Sequence, residues 1–174
     1  MRTLLTFLVG FGVSGAAYAA DADLNRQVVD LLSAYETPAS AEDYQQLGEG
    51  VEAELIAIAN DDETALSRRS SAVHALGYVP SDAGRIYVET TLADAEQPSL
   101  MRRQAAFALA IGWPEDNHAA LTVALADEDT QLRIAAAKAL KQSKDPLAAP
   151  ALEARLQVEE NDAVKPHLIA KKAE

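Results

Sequence analysis

Residues 127–140 read DEDTQLRIAAAKAL and have a close counterpart in residues 96–109, EQPSLMRRQAAFAL. Both stretches place an acid six residues before an arginine and small or apolar residues three, six and seven residues after it. Two more copies can be aligned on a basic residue, so that the four anchors are Arg69, Arg102, Arg133 and Lys165, spaced by 33, 31 and 32 residues. The acids six residues before them are Glu63, Glu96, Asp127 and Glu159. A period of this length indicates a stack of similar structural units.

Each unit has the pattern of a helical hairpin. After the anchor, the apolar positions lie on one face of a helix, and alanine at two of them permits another helix to approach closely. Ahead of the anchor, each unit carries an apolar pair at i,i+4, the pairs being Val51–Leu55, Val88–Leu92, Leu121–Leu125 and Leu152–Leu156. Ser99, Thr130 and Asp162 are predicted to cap the second helices, and Gly77 and Gly112 to end two of them.

A single hairpin cannot bury its apolar face, so consecutive hairpins must cover one another. We therefore predict an all-α solenoid of about four hairpins, with a capping helix at its N-terminal end. The predicted divisions are a signal peptide over residues 1–19, a capping helix and loop over 20–46, and a repeat domain over 47–174. Its units span about 47–79, 80–112, 113–143 and 144–174.

The repeats resemble the HEAT repeat, in the short bacterial form that is related to the phycobilin-lyase-type repeats. This resemblance implies that the acid and the base of each unit form a ladder of ion pairs between neighbouring units. It assigns that role to Glu63, Glu96, Asp127 and Glu159 with Arg69, Arg102, Arg133 and Lys165. Lysine departs from the pattern at the last position, because it cannot make the bidentate contact of arginine.

The first residues have the pattern of an export signal. Arg2 precedes an apolar run from Leu4 to Val13, and small residues at Ala17 and Ala19 are typical of signal peptidase cleavage. We predict cleavage between Ala19 and Ala20 and a periplasmic or secreted location, with no membrane insertion after cleavage. The sequence has no cysteine, so core burial must hold the exported protein together without disulfides.

Negative charge is concentrated in the N-terminal third. Residues 21–67 contain twelve acids and one base, whereas residues 68–174 contain fifteen acids and thirteen bases. The net charges of the two regions are therefore −11 and −2. A strongly negative surface repels phosphate groups, which argues against nucleic acid and anionic membranes as partners. It favours a basic partner or simple solubility.

No catalytic or metal-binding pattern stands out. The three histidines, His74, His118 and His167, fall in different units, without the spacing of a metal site. Serine nucleophile elbows and glycine-rich phosphate loops are also missing from the sequence. The acidic loops at 61–63 and 127–129 lack the framework of a calcium loop. We therefore predict no enzyme activity, no metal and no cofactor.

One face of the second helices points to binding. On a helical wheel the positions opposite the apolar arc would line the concave surface of the solenoid. They carry a semi-apolar strip, for which we name His74, Tyr78, Gln104, Phe107, Ile111 and Trp113 as candidate partner-binding residues. Exposed aromatic side chains grouped in a groove are typical of binding sites. The alternative is that Trp113 and Tyr78 pack over helix ends and Phe107 against the N-terminal helix.

The leading functional hypothesis is an exported, non-catalytic adaptor or scaffold that binds a protein partner through its concave surface. Two alternatives remain. One, implied by the phycobilin-lyase-like repeats, is an accessory subunit of a tetrapyrrole lyase-like enzyme. The other is a structural or assembly subunit of an envelope complex. The sequence does not identify the partner.

Overall fold

The structure is a computed structural model that describes residues 15–34 and 38–169. These residues form helices joined by turns, without a strand. In chain order the α-helices are α1 Gly15–Leu32, α2 Ala41–Gln46, α3 Val51–Asn60, α4 Leu66–Ala75, α5 Asp82–Ala93, α6 Ser99–Gly112, α7 His118–Ala124, α8 Thr130–Leu140, α9 Ala148–Leu156 and α10 Lys165–Leu168. A short 3-10 helix, Leu76–Tyr78, continues α4.

Consecutive helices pair as hairpins, α3 with α4, α5 with α6, α7 with α8 and α9 with α10, and the hairpins stack in a row. The central helix, α6, packs against its own partner α5 and against α4 and α8 of the neighbouring hairpins. One continuous core therefore runs through the stack. The prediction of an all-α solenoid is confirmed.

The second helices lie closer to one another than the first helices do, as expected on the inner side of a curved stack. The alanines three and six residues after the three arginine anchors are fully buried, namely Ala72, Ala75, Ala105, Ala108, Ala136 and Ala139. A methyl group is the largest side chain that such a close helix–helix approach admits. The repeated alanines thus determine which helix of each hairpin faces inward.

Two glycines allow the 3-10 helix that continues α4 to pack closely against α6. A Cβ atom on Gly77 would lie 2.8 Å from the carbonyl oxygen of Ala108, and one on Gly112 would lie 3.1 Å from the carbonyl oxygen of Gly77. Neither glycine has a positive φ, so neither forms the left-handed helix end that the sequence suggested. The glycines are required because two backbones touch there.

The predicted helix caps lie one to two residues away from the actual ones. Ser99 and Thr130 are the first residues of α6 and α8, and the side chain of Asp129 accepts a hydrogen bond from the Gln131 N–H instead. Asp162 likewise precedes the helix, while Asn161 accepts from the Ala163 N–H. The N-cap positions of α6 and α10 are Pro98 and Val164, which form no side-chain cap hydrogen bond, so of these three helices only α8 begins with a polar cap.

The helix α1 covers the N-terminal end of the stack by packing against α3 and α4, with Val28 fully buried. Next to it, Ser40 and Asp43 form a capping box that begins α2. Residues 1–14 of the predicted signal peptide lie outside the described residues, as do Lys171 and Lys172 of the fourth unit. Among the residues that the structure describes, no helix is both long and apolar enough to cross a membrane.

Candidate interaction surface

Four of the predicted binding residues meet on the inner side of the first two hairpins. His74 lies near the end of α4, Tyr78 ends the 3-10 helix, and Gln104 and Phe107 lie on α6. All four side chains are half-buried. They therefore expose part of their surface while being held in place by the core beneath them. We call His74, Tyr78, Gln104 and Phe107, together with Tyr44 described next, the aromatic cluster.

The rings of this cluster contact one another edge to face and in a stack. The His74 ring meets the Tyr78 ring at a centroid distance of 5.6 Å and the Phe107 ring at 6.5 Å, both edge to face. The Nε2 atom of His74 also lies 3.3 Å from the Tyr78 hydroxyl. Tyr44 of α2 stacks on Tyr78 with centroids 5.7 Å apart and ring planes inclined by 17°. Such contacts fix ring orientation before any partner arrives.

Tyr44 was missed by the analysis of the sequence. The signal for it is the sequence Ser-Ala-Glu-Asp at 40–43, which begins a short helix and leaves Tyr44 as its one large apolar side chain. That pattern predicts burial of Tyr44, but not against which element. The structure shows that α2 lies on the 3-10 helix, so that the N-terminal segment contributes directly to the surface.

Burial controls ionisation within the cluster. It lowers the pKa of His74, although the nearby Gln104 amide partly opposes the shift, so His74 is neutral at neutral pH. Its Nδ1 atom is buried and has no hydrogen-bond partner among the described residues. Burial, with smaller contributions from Tyr78 and Asp43, raises the pKa of Tyr44 to about 12. The cluster is therefore uncharged under ordinary conditions.

A cavity of about 310 Å³ opens beside the cluster, between the N-terminal segment and the first two hairpins. On one side its walls are apolar and come from Leu31, Leu32, Ala34, Pro38 and Ala39. On the other side Tyr44, His74 and Tyr78 present rings, and Ser71 and Gln104 present hydrogen-bonding groups. Among the described residues that line it there is no carboxylate, lysine or arginine. This cavity can accept a side chain of a partner.

The two other predicted binding residues, Ile111 and Trp113, lie at the C-terminal end of α6. Ile111 is half-buried in the last turn of α6, beside Gly77. Trp113 directly follows α6 and packs on the apolar core. Within residues 38–169, no ring contact joins Trp113 to the aromatic cluster. The strip is thus continuous from Tyr44 to Phe107, and Trp113 stands apart at the helix end.

Two arginines link neighbouring hairpins. The Nη2 atom of Arg102 lies 2.5 Å from a carboxylate oxygen of Asp127 in the next unit, and its Nε donates to the Leu92 carbonyl. Arg133 contacts both carboxylate oxygens of Glu159 at 3.1 and 3.3 Å. Each arginine is buried and reaches the turn of the following hairpin. These contacts have the between-unit geometry that the resemblance implied.

The buried carboxylate of Glu159 also pairs with a second arginine. Arg155 donates to the same carboxylate at 2.7 Å, and the Asn161 N–H donates at 2.9 Å. Burial disfavours the charged form of Glu159, but these hydrogen bonds and those of Arg133 outweigh it and hold the pKa at about 2. The carboxylate is therefore ionised at any ordinary pH.

The remaining ladder residues have other contacts. Arg69 pairs with Asp62 of its own unit at 2.7 Å, and Lys165 pairs with Asp162 at 2.8 Å. The side chains of Glu63 and Glu96 make no ion pair in the part of the chain that the structure describes. The interpretation of Arg69, Glu63, Glu96 and Lys165 as members of a ladder between units is therefore wrong.

The reason is a difference in the position of the acid relative to the anchor. In every unit the repeat acid accepts a hydrogen bond from the N–H two residues later, and the four acids so identified are Asp61, Asp94, Asp127 and Glu159. In the first two units this acid precedes the anchor arginine by eight residues, and in the last two it precedes the anchor by six. Counting six residues throughout selects the wrong acid in the first two turns.

The histidines do not meet. His118 donates its backbone N–H to Asp145 and places Nδ1 2.6 Å from the same carboxylate, which ties the start of α7 to the turn before α9. Among the described residues no group of three or more potential ligands is arranged to hold a metal ion. What the structure gathers is an uncharged aromatic surface suited to binding another molecule.

Comparison with known proteins agrees with this architecture. The family model for HEAT repeats matches residues 90–170, which run from the end of α5 through α10. No curated protein matches the chain.

Proposed function

Because residues 90–170 match the family model for HEAT repeats, we propose that the chain is a non-catalytic HEAT-repeat scaffold that binds a protein partner. The binding surface is the aromatic cluster on the inner side of the first two hairpins, continued by Ile111. HEAT repeats form extended surfaces for protein interaction, because stacked hairpins present a row of equivalent helices.

The observation that carries this proposal is the rigid, uncharged aromatic cluster beside an open cavity. His74 and Tyr78 are held by ring contacts to Tyr44 and Phe107, yet all but Tyr44 keep part of their surface exposed. Large, preoriented aromatic side chains lose little entropy when a partner covers them, and they supply much of the energy at protein interfaces. A surface that served only to close the core would have no need of the adjoining cavity.

We further propose that the protein works outside the cytoplasm, after cleavage between Ala19 and Ala20. The support is the sequence pattern of residues 1–19. Mass spectrometry of the protein recovered from its source cells tests this, because the processed chain should begin at Ala20. Recovery of the chain with residues 1–19 intact would contradict export by a cleaved signal.

The binding proposal is tested by recovery of the partner from an extract of the source cells. Phe107→Ala combined with Tyr78→Ala removes two rings of the cluster, and partner recovery should fall at least tenfold. The matched control is Ile86→Ala combined with Val123→Ala, which removes two exposed apolar side chains from the outer helices α5 and α7. Circular dichroism must show that both variants fold. Equal recovery by the cluster variant and the control would refute the proposed surface.

A further inference from the structure

The proposed scaffold has a cavity that differs in character from one side to the other. Leu31, Leu32, Pro38 and Ala39 of the N-terminal segment contribute apolar lining, and Ser71 of α4 and Gln104 of α6 contribute a hydroxyl and an amide. The rings of Tyr44 and Tyr78 close the cavity between these two sides. An occupant that fits must combine an apolar stem with a polar head.

We propose that this cavity receives one lysine or arginine side chain of the partner. The inference rests on the proposed function and specifies the chemistry of its partner. The methylene groups of a basic side chain can lie along the apolar wall while its charged head stays at the wetter, hydrogen-bonding side. The head can also lie over a tyrosine ring, whose face attracts cations.

The charge around the cavity favours a cation. Residues 38–67, of which Pro38, Ala39 and Tyr44 line the cavity, contain eight acids and no base. Asp43 is the immediate neighbour of Tyr44, and its charge reaches the Tyr44 hydroxyl. A field of one sign attracts oppositely charged groups and repels like ones. An acidic side chain would therefore be rejected.

The groups inside the cavity accept hydrogen bonds from such a head. The Ser71 hydroxyl and the Gln104 carbonyl can accept from an ammonium or guanidinium group, and no basic side chain competes with it among the lining residues that the structure describes. A purely apolar side chain would leave these two polar groups facing a surface that cannot bond to them, which costs binding free energy. The chemistry thus disfavours a leucine or phenylalanine occupant.

The experiment is a titration of the isotope-labelled full chain, followed by NMR. The two probes are N-acetyl-lysine amide and N-acetyl-norleucine amide, which have the same stem and differ in the charged head. We expect the lysine probe to bind about three- to fivefold more tightly and to shift the signals of Tyr44, His74 and Tyr78. Equal affinity of the two probes, or binding of neither, overturns the inference.

Two pairs of variants locate the effect. Gln104→Leu keeps the approximate size of the side chain and removes an acceptor in the cavity, whereas Gln142→Leu alters an exposed glutamine that does not line it. Glu42→Gln combined with Glu49→Gln lowers the negative charge of the segment around α2, which contributes Tyr44 to the cavity, and Glu153→Gln combined with Glu160→Gln removes as much charge from the C-terminal unit. Only the first variant of each pair should weaken binding of the lysine probe. Equal effects within a pair would contradict the site.

The result can be separated from that of the partner recovery experiment. If the probes bind equally but the Phe107→Ala and Tyr78→Ala variant still loses the partner, the scaffold proposal stands and the basic side chain is excluded. If the lysine probe binds as expected but partner recovery is unchanged by that variant, the cavity recognises a cation and the proposed protein interface fails.

Discussion

His74 packs against the core and also belongs to the proposed binding surface. Its ring contacts Tyr78 and Phe107, Gln104 lies close by, and the described residues that line the cavity include no carboxylate. The folded protein therefore favours the neutral ring, and burial lowers the His74 pKa below its ordinary value. Because the unfolded chain binds the proton more readily, stability from this site is complete above about pH 6.5 and is lost as the pH falls.

This leads to a measurable pH dependence. In urea unfolding at about pH 7.5 and about pH 5.5, the wild type should lose more free energy of unfolding on acidification than His74→Phe, which keeps an aromatic ring but cannot titrate. His118 and His167 are present in both proteins, so their contributions cancel. If acidification destabilises both proteins equally, His74 is not held in its neutral form.

Glu159 is the opposite case, a buried group that is held in its charged form. Hydrogen bonds from Asn161, Arg155 and Arg133 outweigh burial and hold its pKa at about 2, below the ordinary value of 4.5. The stability that depends on this ionisation is present above about pH 4.5 and is lost as the pH falls toward 2.

Replacing Glu159 should therefore be costly. Glu159→Gln leaves Arg133 and Arg155 without their anion, and we expect a loss on the order of 3 kcal/mol near neutral pH. The neighbouring control Glu160→Gln alters an exposed carboxylate and should change stability by less than about 0.5 kcal/mol. The difference between the two variants should shrink at about pH 3.5. Chemical denaturation measures both. Similar losses in the two variants would mean that the arginines do not depend on Glu159.

At the scale of the helix, the ends of α4 and α6 are joined by a backbone contact. Gly77 lies against Ala108, and Gly112 lies against Gly77. Glycine inside a helix ordinarily weakens it relative to alanine. Its presence at both positions is explained by the need for the two helices to meet without side chains between them.

Gly77→Ala reverses the usual sign of a glycine-to-alanine change. The new methyl group would lie 2.8 Å from the Ala108 carbonyl oxygen, a rigid backbone atom. We expect a loss of about 2 kcal/mol, and a smaller loss for Gly112→Ala, whose methyl group has a distance of 3.1 Å to the Gly77 oxygen. Thermal and urea denaturation can rank the two. An increase in stability on Gly77→Ala would show that the helices do not touch there.

A structural feature can be predicted from this sequence where its signal recurs with the repeat, but not where its signal is local. The buried alanines, such as Ala105 and Ala136, recur at a fixed distance from an arginine, and the packing of α4, α6 and α8 follows from them. The turn acids do not recur at a fixed distance, because the acid precedes its anchor by eight residues in the first two units and by six in the last two. Asp94 was therefore overlooked in favour of Glu96. The position of an acid within a turn leaves no periodic trace, since turn residues are not repeated on a helical face.

The same distinction between periodic and local signals applies to the candidate site. His74, Tyr78, Gln104 and Phe107 could be placed on one surface, because they occupy equivalent positions of α4 and α6 and of the 3-10 helix between the hairpins. The contact of Tyr44 with Tyr78 joins residues of different elements, and nothing in the repeat relates α2 to the units. The cavity likewise depends on how α1 and α2 lie across the end of the stack.

At the scale of the whole molecule, one set of residues stabilises the row of hairpins and another forms the proposed binding surface. Arg102 and Arg133 join neighbouring hairpins by pairing with acids in the α7–α8 and α9–α10 turns, while the inner helices carry the proposed binding surface. The acidic N-terminal third adds a field that favours basic partners. We therefore expect the initial association rate to fall with added salt more than the dissociation rate rises.

The most direct test of the proposed interface is hydrogen exchange of the complex with the recovered partner. The account predicts that binding slows amide exchange in α2, in the Leu76–Tyr78 turn and at the inner ends of α4 and α6, while the outer helices α5 and α7 exchange as in the free protein. Protection confined to α5 and α7, with α4 and α6 unchanged, would contradict a partner-binding surface on the inner helices.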